Sequence, residues 1–317
     1  MFTRHKGEVL LVIGAVAFAF NGIVSKLLLQ AGLSEWRLVQ VRTGGAFLFL
    51  ITFVLLTNAK SLKVTKKELP LLIVYSIFGF ALVQFGYFIA ISRMNISMAL
   101  IIEFTAPIWI VLWIKYVRKA FVPKDMWIAI SLAFIGMLLL AQVWKGMTLD
   151  ALGLFSAFLT AFALATYFIL GERLGPSRPT ASLNALGFGI ASTIWAIAFP
   201  LWSYPTEIFT QSINLSGPLE KYNAPGWTLI LWVVVLGTIL PYLCVLAGIK
   251  LLSASTSSVI GMLEPVFAGI FAWIWINETW NAIQLIGGAT VIAGIYIADK
   301  TRSKVKLPQP IKNLSGS

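Results

Sequence analysis

The chain has 317 residues, of which 59% are hydrophobic and 11% charged, against roughly 25% charged in a soluble domain. That much apolar surface excludes a soluble globular fold. The net charge of +12 does not point to nucleic acid, because the basic residues lie in short loops between apolar runs, where they report membrane topology.

Taken in chain order, apolar runs bounded by breakers predict helices at 9–30, 36–57, 70–92, 97–117, 125–142, 151–171, 181–201, 227–249, 255–275 and 282–298. Each is close to the about 20 residues needed to cross a bilayer. Only helices or closed barrels satisfy their backbone polar groups without water, and these runs are too long and too uniformly apolar for barrel strands. The opening MFTRHKGEVL has the charged start of a signal peptide. The apolar run after it exceeds a signal h-region and has no small-residue cleavage site, so it is read as a retained first helix. Trp202–Gly226, with Pro205, Pro218 and Pro225, is the one connection long enough for an external loop or interfacial helix.

The distribution of basic residues tests the count. Arg4, Lys6, Lys60, Lys63, Lys66, Lys67, Lys115, Arg118, Lys119, Lys124, Arg173, Arg178, Lys250, Lys300, Arg302, Lys304, Lys306 and Lys312 fall in one set of alternate segments. The other set holds Arg37, Arg93, Lys145 and Lys221, with Lys26 and Arg42 left inside helices. The alternation predicts ten spans with both termini cytoplasmic, in contact with membrane lipids.

A shift of 158 residues lays Gly79–Gly136 on Gly237–Gly294 without a gap, matching Ser97 to Ser255 and Pro107 to Pro265. Only eight of the fifty-eight positions are identical, so the repeat rests on shared hydropathy, helix breaks and loop positions. AFAFNGIVSK at 17–26 likewise resembles AFALATYFIL at 161–170. The expected organisation is a first five-helix repeat over 1–145, a second over 146–300 and a basic tail over 301–317. Five is odd, so the second repeat inserts upside down. Inverted repeats are characteristic of secondary transporters, whose substrate sites lie near the midplane. Duplication kept for folding alone is the plainer alternative.

Residues 263–299, LEPVFAGIFAWIWINETWNAIQLIGGATVIAGIYIAD, resemble the last two helices of the EamA-like family of the drug/metabolite transporter superfamily. The resemblance is carried by Glu264–Pro265, by Asn277–Glu278 in the turn, and by Gly287, Gly288 and Gly294. FAFNGIVSK at 18–26 resembles the family's first-helix motif, and Arg42 sits where the family's second helix often has an arginine. The position matching Glu278 in the first repeat is Ala120, where the family commonly has glutamate. The resemblance implies an all-α bundle that transports a small metabolite without ATP hydrolysis, often exporting amino acids or related compounds from a bacterial cell.

An ionisable group inside the hydrocarbon costs about 2.5–3.5 kcal/mol on insertion scales and needs a partner or a wet cavity. Lys26, Arg42, Glu103 and Glu264 qualify. The orientation puts Lys26, Arg42 and Glu103 at one depth in the outer half, a set suited to a substrate carboxylate or phosphate, with Arg42 able to make a two-pronged contact. Snorkelling of both cations to headgroups is the alternative. Glu264, near the middle of its helix and just before Pro265, is a candidate for binding a substrate ammonium or carrying a proton, with a buried tie between helices as the alternative; Glu103 is the other proton candidate. Pro107 and Pro265 predict helix bends. Asn21, Gln84, Tyr87, Trp109, Tyr167 and Tyr242 complete the candidate substrate-binding set, aromatics being able to stack on a ring or cation. Packing is the plainer role for each aromatic.

One cysteine, Cys244 within an apolar run, and one histidine, His5 in the terminal tail, leave no disulfide framework and no thiolate metal site. No metal, cofactor or protein partner is expected. A membrane enzyme is the main rival from another class, but the spans hold no histidine, no paired aspartates and no phosphate-binding glycine loop. A receptor would leave the repeat and its buried charges without a role. Within transport, drugs, other metabolites and sugar phosphates are the alternatives to amino acids.

Overall fold

The structure, a computed structural model, describes residues 5–94, 96–145, 150–276 and 281–301. Asn277–Glu278, Trp280 and all of the basic tail beyond Thr301 lie outside the described residues. Ten helices long and apolar enough to cross a membrane follow one another: TM1 (Lys6–Gln30), TM2 (Glu35–Leu62), TM3 (Leu69–Arg93), TM4 (Met98–Val117), TM5 (Lys124–Ala141), TM6 (Ala151–Ser177), TM7 (Thr180–Ala198), TM8 (Gly226–Leu251), TM9 (Ala254–Trp275) and TM10 (Ala282–Thr301). The protein is an all-α polytopic membrane protein, and each helix overlaps the one expected from the apolar runs. Large side chains such as Phe49, Leu56, Phe121 and Ile197 face outward. On a bilayer protein that outward apolar surface is the lipid contact rather than a defect.

Four spans share interruptions that come in two pairs, while a further π stretch in TM4, Trp113–Val117, has no counterpart in TM9. TM3 passes through a π turn at Ile77–Leu82 and TM8 through one at Val235–Ile239. TM4 breaks after Glu103 and resumes at Ala106; TM9 breaks at Met262 and resumes at Leu263. The 158-residue shift carries each of these paired interruptions onto its counterpart. The prolines explain the second pair: Pro107 and Pro265 lie in the first turn of the resumed helix, where a missing N–H leaves no bond unmade.

The glycines matched by the shift explain how the halves approach each other. A Cβ on Gly79 would sit 2.7 Å from Tyr167 Cδ2, and one on Gly237 would sit 2.7 Å from Asn21 Cγ. TM3 thus packs on TM6 of the other half, and TM8 on TM1. A Cβ on Gly136 would meet Gly287 O at 2.6 Å, and one on Gly294 would meet Ala129 O at 2.7 Å, so TM5 and TM10 lie backbone to backbone as small residues permit. TM2 and TM7 close the remaining seam.

The connection between TM7 and TM8 is neither a plain loop nor an interfacial helix. It folds into short 3-10 turns and a two-stranded antiparallel hairpin, β1 (Ser212–Asn214) with β2 (Asn223–Pro225), pairing Ile213 with Ala224. Ile208 and Ile213 are buried beneath it, and Trp275 Nε1 of TM9 donates to Leu215 O at 3.1 Å. Three prolines and scattered polar residues gave the hairpin no alternating pattern to be read from sequence.

Candidate functional site

The geometry starts at Arg42. It is 6% exposed on TM2, where an arginine needs both hydrogen bonds and opposite charge. Its Nε donates to Thr238 Oγ1 at 3.0 Å and its Nη2 to Gly237 O at 3.4 Å, both in the π turn of TM8. The Thr238 hydroxyl spends its own proton on Val233 O at 2.8 Å, so its oxygen is left to accept from the guanidinium. The mirror contact runs the other way: Tyr242 of TM8 donates through its hydroxyl to Gly79 O, 3.3 Å away in the π turn of TM3. Each wide turn therefore presents a carbonyl to a side chain from the other half.

Around Arg42 stand Glu264, Tyr87 and Tyr242, all within Coulombic reach of it. Glu264 lies in the first turn after the break in TM9, within Coulombic reach of the arginine. Glu103, the last residue before the break in TM4, is in turn within reach of Glu264, Tyr87 and Tyr242. Gln84 lies beside the Tyr242 hydroxyl; its Nε2 donates to Phe80 O at 3.0 Å, and its Oε1 has no partner among the described residues. No direct ion pair joins Arg42 to either glutamate among the described residues. Opposite charges are thus gathered in the membrane interior without a direct ion pair among the described residues, a set of groups whose chemistry suits a zwitterion or a carboxylate with a proton.

Six of the sequence candidates, Arg42, Gln84, Tyr87, Glu103, Tyr242 and Glu264, therefore converge from TM2, TM3, TM4, TM8 and TM9. Of the other four, Asn21 and Tyr167 border this group, through Gly237 and Tyr242 respectively, and Lys26 and Trp109 stand apart from it. Asn21 is buried against Gly237, accepting from Ser25 Oγ at 3.5 Å. Lys26 is exposed and is not among the groups that influence Glu103 or Glu264. Trp109 donates to Thr105 Oγ1 at 3.1 Å and packs on Phe162 with centroids 4.4 Å apart. Tyr167 stacks on Tyr75 at 5.5 Å and meets Tyr242 edge-on at 5.7 Å. Sequence reasoning missed Thr238, whose signal was a hydroxyl beside a glycine in mid-span.

Two layers close this site towards the basic loops. The first is aromatic: Phe80 meets Phe188 at 4.6 Å, Tyr242 at 5.0 Å and Tyr75 at 5.2 Å. The second is charged. Glu172 of TM6 accepts from Arg118 Nη1 and from the Ala254 backbone N–H, the latter at 2.9 Å. Arg178 pairs with Glu68 and donates to Ser61 O at 3.1 Å, and Lys250 Nζ donates to Arg178 O at 3.0 Å. At the opposite end Arg37 donates to Pro200 O at 3.2 Å and to Ser203 O at 3.0 Å, and sits over the Tyr204 ring. Burial pushes the Tyr204 phenol up to about 12, with the Arg37 charge acting in the other direction.

The profile of the EamA-like transporter family matches residues 5–142 and again residues 151–298. Among characterised relatives, the chain is 26% identical to the "Threonine/homoserine exporter RhtA" of Escherichia coli, over 76% of this chain and 75% of that one. It is 23% identical to the "Uncharacterized inner membrane transporter YicL" of Salmonella typhimurium, over 94% and 96%. It is also 23% identical to the "Uncharacterized transporter YdfC" of Bacillus subtilis, over 90% and 87%. A solved crystal structure superposes with a TM-score of 0.72 at 13% identity, covering 94% of this chain and 98% of the other, a likeness of fold.

Proposed function

Because the chain belongs to the EamA-like transporter family and is a multi-pass membrane transporter, we propose that its cargo is a small amino acid, exported across the plasma membrane by alternating access. The observation that carries this reading is that Arg42 and Glu264 are buried within Coulombic reach of each other with no direct ion pair among the described residues. The guanidinium, with its Nη1 free of protein partners among the described residues, takes the substrate carboxylate. Glu264, with Glu103 behind it, takes the ammonium group or a proton. Tyr87, Gln84 and Tyr242 frame the space between them. An exporter of threonine and homoserine among the relatives supports an amino-acid cargo over drugs or sugar phosphates.

The two repeats are inverted, both termini are cytoplasmic, and the closed basic-loop end is the cytoplasmic one. This topology is supported by the eighteen basic residues gathered at one end and by the paired interruptions that the 158-residue shift relates. Rocking of one repeat against the other about the TM5–TM10 seam would open the aromatic and charged layers in turn.

Counterflow in proteoliposomes tests the proposal, with radiolabelled L-threonine outside and unlabelled L-threonine inside. Saturable exchange that Arg42→Ala abolishes supports it. If threonine, homoserine and other neutral amino acids all fail to exchange in wild type, the amino-acid reading is wrong.

A further inference from the structure

The corner between TM4 and TM5 breaks the likeness of the two repeats. TM4 ends in the π stretch Trp113–Val117 that TM9 lacks. The chain then turns through two wide bonds, Arg118 N–H to Trp113 O and Ala120 N–H to Ile114 O, each 3.0 Å. Lys119 makes the turn at φ +50°. That left-handed conformation at a helix end is usually left to glycine or asparagine, and a lysine there bears a steric cost.

Charge is as lopsided as the backbone. Lys115, Arg118, Lys119 and Lys124 stand at this corner against one acid, Asp125. The 158-residue shift sets Trp273, Ile276, Asn277 and Ala282 opposite them, with no cation in the set. An odd number of spans separates the two corners, so they lie on opposite faces of the membrane. Of the four cations, Arg118 turns inward to Glu172. Lys115, Lys119 and Lys124 are exposed, and so are two rings between them, Tyr116 at 65% and Phe121 at 77%. The Lys115 ammonium lies 5.2 Å from the Tyr116 ring centroid and 6.0 Å from that of Trp127 on TM5. Cations that only orient a span need no such setting: an ammonium held between rings, exposed aromatics beside it and a lysine in a costly turn.

We propose that this corner binds the headgroup of an anionic phospholipid in the leaflet on the basic-loop face. Lys115, Lys119 and Lys124 take the phosphate oxygens, while Tyr116 and Phe121 seat the glycerol and upper acyl groups, the level at which aromatic rings at span ends lie. Charge complementarity selects the partner. Each cation near the surface strengthens the attraction to anionic lipid severalfold, whereas a zwitterionic headgroup brings its own cation against the lysines. The lipid sits on the outer side of the same turn whose inner side presents Arg118 to Glu172, beside the joint between the repeats. The inference is independent of what the protein carries.

Native mass spectrometry of the purified full chain in a neutral detergent tests it, with phosphatidylglycerol or phosphatidylcholine of the same acyl chains titrated in. Wild type is expected to bind phosphatidylglycerol at least tenfold more tightly. Lys115→Gln/Lys119→Gln/Lys124→Gln is expected to lose that preference. Lys60→Gln/Lys66→Gln/Lys67→Gln, which removes three exposed cations from the TM2–TM3 connection on the same face, is expected to keep it. Tyr116→Ser/Phe121→Ser leaves the charge unchanged and is expected to weaken phosphatidylglycerol binding about tenfold. All substituted side chains are exposed, so melting temperatures should stay at the wild-type value. A wild type without preference, a corner variant that retains it, or an equal loss in the TM2–TM3 variant would overturn the site, the last by reducing it to diffuse surface charge. Unweakened binding in the ring variant, or displacement of the lipid by inorganic phosphate, would overturn the lipid as its occupant.

Discussion

Glu172 accepts the backbone N–H of Ala254 at 2.9 Å through one carboxylate oxygen while the other oxygen takes Arg118. One acid of the second repeat thereby joins the end of TM4 in the first repeat to the N-terminus of TM9. A carboxylate at a helix N-terminus is favoured by the unpaired N–H groups and the helix dipole. Glu172→Gln is expected to keep the bond to Ala254 and lose the ion pair, whereas Glu172→Leu loses both. The second variant should melt lower in detergent, by about 2 kcal/mol relative to wild type. Equal melting of the two would show that Ala254 contributes nothing to the joint.

At the central site, Arg42→Lys keeps the charge but not the planar fork. Exchange of L-threonine is expected to fall more than tenfold. Thr238→Val removes the acceptor that aims the guanidinium and is expected to raise the half-saturating concentration about tenfold, the equivalent of a charged hydrogen bond of about 1.5 kcal/mol. A valine variant that matches wild type would mean that Arg42 is positioned by other contacts.

For proton coupling, the decisive comparison is Glu264→Gln against Glu103→Gln. With Glu264 as carrier, a pH gradient across the vesicle accelerates net efflux in wild type and in Glu103→Gln but has no effect on Glu264→Gln. The reverse assignment would move the role to Glu103, and equal gradient responses in all three would leave neither as the carrier.

The TM5–TM10 seam depends on the absence of side chains. Gly136→Leu would drive a side chain into Gly287 O and Val291 N, 2.6 and 2.7 Å from the Cβ position, and is expected to cost about 3 kcal/mol. Gly22→Ala, where nothing lies within 4 Å, is expected to leave folding untouched. Fluorescence-detected melting of both variants would measure the difference.

Topology has its own test. In a Cys244→Ala background, an impermeant maleimide on intact cells should label Lys221→Cys and leave Lys66→Cys unreacted until the membrane is opened. Both parent side chains are exposed. Labelling in the opposite order would invert the membrane orientation and make the charged layer external.

Much of this molecule was legible in the chain. Span length and apolarity are local properties, so the ten helices followed from composition alone. The high price of an ion in hydrocarbon made Arg42, Glu103 and Glu264 conspicuous, and Pro107 and Pro265 stood close to where TM4 and TM9 break. Lys26 was as conspicuous as Arg42, yet only Arg42 turns inward. A difference of one helix face separates them, and in spans apolar on every side hydropathy carries no record of which face meets protein and which meets lipid.

What the tertiary structure decided were the relationships between helices distant in sequence. Thr238 becomes the partner of Arg42 because a π turn brings TM8 against TM2. Glu172, an acid beside Arg173 that reads as an ordinary loop charge, becomes a joint between repeats because TM6 meets the end of TM4 there as well as the start of TM9. Asn184 and Tyr75, polar groups in apolar spans, are fully buried because TM7 and TM3 pack against each other. Hydrophobic content dictates which segments leave water; close packing across the two repeats dictates which polar atoms then find one another.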